Sequence, residues 1–150
     1  MFYIEYNMAI KLKPLVRGMT LGLLLFAGLY GNIVAHEMGH WLVASELDLN
    51  PKMHLFEAPE TGTRSFFNQN FFTTYNSGSV QHDVLVAAAG PMINLALALG
   101  LAVVYMKLPK KRKYARLVVL MLLIPAILSF VANIIPTAGS DGSVLIQNWR

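Results

Sequence analysis

The 150-residue sequence contains no cysteine, which excludes a disulfide framework, a thiolate metal site and a cysteine nucleophile. It is also short of charge. Only 13% of its residues are charged and 55% are apolar, where a soluble domain carries about 25% charged residues. That balance excludes a disordered chain, which needs low hydrophobicity and high charge, and it argues against an ordinary water-soluble domain. Internal repeats and low-complexity tracts are absent too. The length suits a single domain, 1–150. The net charge of +4 hints at nucleic acid only until the charges are located.

They are clustered. Between Arg17 and Glu46 the only charged residue is Glu37, and none lies between Asp83 and Lys107 or between Arg116 and Asp141. Each gap is longer than the roughly 20 residues that a helix needs to cross a bilayer core about 30 Å thick. The gaps hold runs such as Leu21-Gly-Leu-Leu-Leu-Phe-Ala, Leu95-Ala-Leu-Ala-Leu-Gly-Leu and Leu117-Val-Val-Leu-Met-Leu-Leu-Ile, without the polar face of a soluble helix. The expectation is an all-α integral, multi-pass membrane protein with three transmembrane helices at about 18–45, 84–106 and 116–136. The first run is too long for a secretory signal and contains His36, Glu37 and His40, so cleavage is not expected. No nucleic-acid partner is expected.

The segment 46–83 is polar, with Pro51, Pro59 and Gly62, and carries Phe66, Phe67, Phe71, Phe72 and Tyr75. Residues 65–67 and 71–75 around Asn68-Gln-Asn read as a small β hairpin. An aromatic belt at the membrane interface is the other reading, and the two are compatible.

Within the first span stands His36-Glu37-Met38-Gly39-His40. Histidines four apart on one helix face can reach a single metal ion, with the intervening carboxylate beside the position that water would take. Each ionisable group inside a membrane costs at least ~2.5 kcal/mol, and a metal would compensate three of them in five positions. Buried interhelical hydrogen bonding is the plainer alternative, but Ser, Thr and Asn usually serve that purpose. A haem is disfavoured because axial ligands approach iron from opposite sides. Zinc in a catalytic site normally takes three protein ligands. The candidates for the third are His54, His82, Asp83 and Asp141. Asp141 stands out, because Pro136, Gly139 and Gly142 around it should unwind the chain after the third span; a solvated residue past the helix end is the simpler account of it.

In three consecutive spans, the end of the first, the start of the second and the end of the third share one leaflet. His36 to His40, Gly90-Pro91 with Asn94, and Asn133 to Asp141 therefore fall on one side. Small-residue stripes, Ala27, Gly31, Ala35 and Gly39 in the first helix and Gly90, Asn94, Ala98 and Ala102 in the second, are expected to bring the helices close.

These residues together resemble the site-2 protease family of intramembrane zinc metalloproteases. The motifs are His36-Glu37-x-x-His40, Ala89-Gly90-Pro91-x-x-Asn94, and Asn133-x-x-Pro136 followed by Asp141-Gly142. They cover all three spans. The first motif is common to many metalloproteases, whereas the ordered combination is specific. The resemblance implies one Zn2+ ion held by His36, His40 and Asp141, with Glu37 as general base. Asn94 and Asn133 are candidates for hydrogen bonding to the oxyanion or substrate backbone, with a plain interhelical bond the equal alternative for each. It also implies a membrane-associated β structure between the first two spans. Ser140 departs from the leucine common before the Asp-Gly pair. Only eight residues follow Gly142, so the chain reads as a minimal three-helix core, a truncation, or part of an assembly. A homo-oligomer or helper subunit would suit the last.

The implied activity is hydrolysis of a peptide bond within or near a transmembrane segment of a membrane-protein or peptide substrate. The alternative from another class is an inactive membrane scaffold or binding module with a structural metal site; the presence of Glu37 counts against it. A metal-transport subunit would need ionisable residues along a whole path, and the other half of each span has none. Nine basic residues (Lys11, Lys13, Arg17, Lys107, Lys110, Lys111, Arg112, Lys113 and Arg116) lie on one side, against Lys52, Arg64 and Arg150 on the other. The positive-inside rule puts the nine in the cytoplasm and the motifs near the opposite face. The family resemblance implies the reverse.

Overall fold

A computed structural model describes the backbone of residues 2–55 and 71–148, with side chains over 14–54 and 72–148. Four helices and two strands follow in the order α1 (Phe2–Glu46), β1 (Lys52–Leu55), β2 (Phe71–Thr74), α2 (Val80–Lys107), α3 (Lys113–Ile134) and α4 (Asp141–Gln147). Three stretches, Pro14–Glu46, Val80–Lys107 and Lys113–Ile134, are long and apolar enough to cross a membrane. At 1.5 Å per residue, the 33 residues of the first exceed a 30 Å hydrocarbon layer by roughly 20 Å. Helices of sufficient length and apolarity are thus present at all three expected positions, the third ending two residues before its expected limit. The short α4 was not expected.

The polarity of the bundle is inverted relative to a soluble protein. Large apolar side chains face outward, as at Leu23 (68% exposed) and Leu128 (59%). Asn32, His36, His40 and Asn94 are buried. In a lipid surrounding, as apolar as leucine itself, close packing and interhelical hydrogen bonds would hold such a bundle together.

The stripe on α2 is where the sequence places it, with Gly90, Asn94 and Ala98 buried. On α1 it holds only in part. Gly39 is buried, whereas Ala27 and Gly31 are exposed, and a Cβ added at Gly31 would meet nothing within 4 Å. The inward row is Gly28, Asn32, His36, His40 and Ala44, a register that buries one amide and two imidazoles together. Gly28 packs on the backbone of Met121 and Leu122 in α3, and Gly39 on the carbonyl of Ala89 in α2. Farther along, Ala98 of α2 packs on Leu123 and Ala126 of α3.

α1 stops in a turn where Asp48 and Asn50 adopt φ of 55° and 50°, a left-handed conformation that these short polar side chains tolerate. Asn76 N–H then donates to Leu49 C=O at 2.9 Å. Leu49 joins Ala44 and Val86 in a small apolar cluster at that end of the bundle. β1 and β2 pair antiparallel, Lys52 opposite Thr74 and Leu55 opposite Phe71. The strand expected at 71–75 is thus present over Phe71–Thr74, paired with Lys52–Leu55. Its expected partner, 65–67, and the turn at 68–70 lie outside the described residues. The Thr73 hydroxyl donates to the Glu37 carbonyl at 3.1 Å and ties β2 to α1.

Candidate metal centre

α1 carries His36, Glu37 and His40 in consecutive turns, and their ligand atoms all lie within 4.8 Å of one another. The two imidazoles meet edge to face, with centroids 4.6 Å apart. Their Nε2 atoms are 3.0 Å apart. Room for them comes from α2. A Cβ on Gly90 would lie 2.6 Å from His40 Cε1 and 2.7 Å from His36 Cε1, so only glycine fits behind the rings. Pro91 removes the hydrogen bond that the Ala87 carbonyl would otherwise accept, and its ring crowds that carbonyl. In the same turn the neighbouring Val86 carbonyl accepts from His40 Nδ1 at 2.7 Å.

Asp141 arrives from the far end of the chain. α3 ends at Ile134, with Ile135 as its C-cap. The chain then turns through Gly139, whose φ of +82° calls for glycine. Ser140 is the N-cap of α4: its hydroxyl accepts from Ser143 N–H at 3.3 Å and donates to the Ile135 carbonyl at 2.7 Å. A leucine could do neither, which accounts for serine before the Asp-Gly pair. Gly142 packs directly on the backbone of Ile134, where a Cβ would collide with the carbonyl oxygen and lie 2.6 Å from its carbon. That contact sets Asp141 Oδ2 at 2.9 Å from His36 Nε2 and Oδ1 at 3.5 Å from His40 Nε2.

Two atoms each 2.0–2.2 Å from a tetrahedral zinc ion are about 3.3–3.6 Å apart. The three separations here, 2.9, 3.0 and 3.5 Å, come close to that spacing. Asp141 Oδ2 is buried and has no hydrogen-bond partner, although a ring nitrogen is near. The two Nε2 atoms are also within hydrogen-bond distance of each other, so two imidazole nitrogens and one carboxylate oxygen meet at one point. The donor set of two imidazoles and one carboxylate suits zinc and leaves a fourth position free. Burial alone would raise the Asp141 carboxyl, but the imidazoles of His36 and His40 outweigh it and hold the group below the usual carboxylate range.

The cluster opens into a cavity of about 340 Å³, lined by Glu37 and Asp141, by Thr73 and Tyr75 from the β2 segment, and by Asn133 from α3. Asn133 Nδ2 donates to Ser129 C=O at 2.9 Å and keeps a second amide hydrogen. Asn94 does not face this space. It is 0% exposed and lies behind His36, with Nδ2 3.2 Å from His36 Nδ1 and 2.7 Å from Ser129 Oγ. Of the two roles open to it, substrate contact or a plain interhelical bond, these contacts with α1 and α3 support the second. The other ligand candidates are not among the residues lining this cavity. His54 stacks on Phe72 at 4.4 Å and contacts Thr74 Oγ1 at 3.0 Å. Asp83 accepts from Ser77 Oγ at 2.8 Å, and His82 lies against Gly78. Thr73 had no signal in the sequence beyond its place in a strand. Comparison with known proteins adds no assignment: the chain matches no protein-family model, no curated protein and no solved structure.

Proposed function

We propose that this chain is a multi-pass membrane protein and a zinc-dependent intramembrane endopeptidase of the site-2 protease type. The observation that carries the reading is the convergence of His36 Nε2, His40 Nε2 and the Asp141 carboxylate within 3.5 Å, beside Glu37 and at the end of three membrane-length helices. His36, His40 and Asp141 would hold the ion. When bound, zinc would supply Lewis acidity toward a peptide carbonyl and toward water, whose pKa such an ion can lower to about 7.

The remaining chemistry belongs to the chain. Glu37, at the cavity wall, accepts the proton of the attacking water and returns it to the leaving amine. The free amide hydrogen of Asn133 can donate to the substrate carbonyl or the oxyanion. A peptide bond inside a helix is shielded by its own hydrogen bonds, so the substrate span must unwind before attack. β2 borders the cavity, and an extended peptide can add to a strand edge there.

The test is co-expression with candidate single-span membrane proteins, wild type against Glu37→Gln. General acid–base groups contribute about 10²–10⁴-fold, so cleavage should fall at least 100-fold while zinc content stays unchanged. Full activity in Glu37→Gln overturns the mechanism.

A further inference from the structure

Both histidines must present an unprotonated Nε2 to serve as ligands, so each must carry its ring proton on Nδ1. For His40 the backbone secures this. Its Nδ1 faces the Val86 carbonyl at 2.7 Å, and a carbonyl only accepts. For His36 the corresponding partner is the side-chain amide of Asn94, 3.2 Å away, and an amide can face the ring with either end.

The two orientations have opposite consequences. With Nδ2 toward His36 the amide donates, the ring proton is driven to Nε2, and His36 is lost as a ligand. With Oδ1 in that place the amide accepts from Nδ1–H, and it accepts from the Ser129 hydroxyl as well, since a hydroxyl can donate or accept. The structure draws the first orientation, with Nδ2 on both His36 Nδ1 and Ser129 Oγ and Oδ1 buried without a partner. The two ends of an amide have the same shape, so turning it over places Oδ1 on those same two groups. A zinc-ligating His36, whose ring proton must sit on Nδ1, calls for the second orientation.

We propose, building on the zinc reading above, that Asn94 is the positioning residue for His36: its amide oxygen, braced by Ser129, accepts from Nδ1–H and keeps Nε2 available to the metal. Asn94 touches neither substrate nor the reacting atoms. Its partnership with a metal-ligating histidine is of the kind whose loss typically costs 10–100-fold in metal affinity. Ser129, on α3, couples the third helix to the ligand geometry through the same atom.

The experiment measures zinc affinity of the purified full chain in detergent by competition with a chromophoric chelator. The proteins are wild type, His36→Ala, Asn94→Leu and Asn94→Asp. Asn94→Leu keeps the volume but offers no acceptor, and it should bind zinc about 10–100-fold more weakly. Asn94→Asp can only accept, and it should bind at least as tightly as wild type. A role in packing alone predicts the reverse order, since a buried carboxylate disturbs a bundle more than leucine does. Should Asn94→Leu fail to fold, Asn94→Asp decides by itself: zinc should raise its melting temperature by more than it raises that of wild type, and a smaller rise overturns the proposal. Equal affinity in Asn94→Leu and wild type also overturns it and leaves the zinc site standing. Equal affinity in wild type and His36→Ala overturns the zinc reading itself.

Discussion

Gly90→Ala should abolish the metal centre without adding or removing a polar atom. The new Cβ would lie 2.6 Å from His40 Cε1 and 2.7 Å from His36 Cε1, and it would overlap His40 Nε2. Carbon atoms in contact settle near 3.5–4.0 Å, so the rings or α2 must withdraw by roughly 1 Å. Metal sites tolerate about 0.2 Å in ligand distance. His40 cannot swing away freely, because its Nδ1 is held by Val86 C=O. We expect zinc affinity to fall at least 100-fold, which is about 2.8 kcal/mol. Gly100→Ala, in the same helix with nothing within 4 Å of its added Cβ, is the control. It should bind zinc as wild type does and gain up to about 1 kcal/mol of helix stability. The assay is chelator competition paired with thermal melting in detergent. If Gly90→Ala binds zinc as tightly as Gly100→Ala, the imidazoles are not packed against α2 as described, and the reasoning fails.

Gly142→Ala should likewise cost zinc affinity, by at least tenfold, because its Cβ would press on the Ile134 carbonyl and push α4, with Asp141, off α3; unchanged zinc binding and melting would show that this contact does not set Asp141. Arg116 donates to the carbonyls of Tyr105 and Leu108 at 3.3 and 3.0 Å and lies 3.9 Å over the Tyr105 ring. Arg116→Ala should therefore lower stability by about 2 kcal/mol, and Arg116→Lys, which lacks the planar fork, by about half as much, measured as a drop in melting temperature with zinc affinity unaffected.

Much of this architecture follows from local pattern. The three spans are visible as charge gaps, because the cost of burying an unpaired charge in lipid is large at any position along a helix. His36 and His40 share a face because 3.6 residues make a turn, whatever the neighbours do. The strand at Phe71–Thr74 was legible from its β-branched and aromatic residues, but its partner Lys52–Leu55 was not, since pairing depends on how the intervening chain returns. The stripe on α1 held at Gly39 but not at Ala27 and Gly31. Glycine and alanine mark faces that can pack closely, but the face that is buried is the one that carries Asn32, His36 and His40. Ser140 looked like a departure from pattern, and its role as the cap of α4 becomes visible only once α4 exists.

The sequence by itself determined what is set by composition and helical periodicity: three membrane-length helices, the pairing of two imidazoles on one face, and a glutamate beside them. The motif resemblance already set Asp141 beside the two histidines, but only the tertiary structure brings its carboxylate within 3.5 Å of both imidazoles. Asp141 lies 101 residues beyond His40 in the chain, and its position rests on the close approach of Gly142 to Ile134. Where each imidazole carries its proton depends on what stands behind the ring, a carbonyl of α2 for His40 and the amide of Asn94 for His36. Those partners are fixed by packing between helices, and no spacing along the chain encodes them.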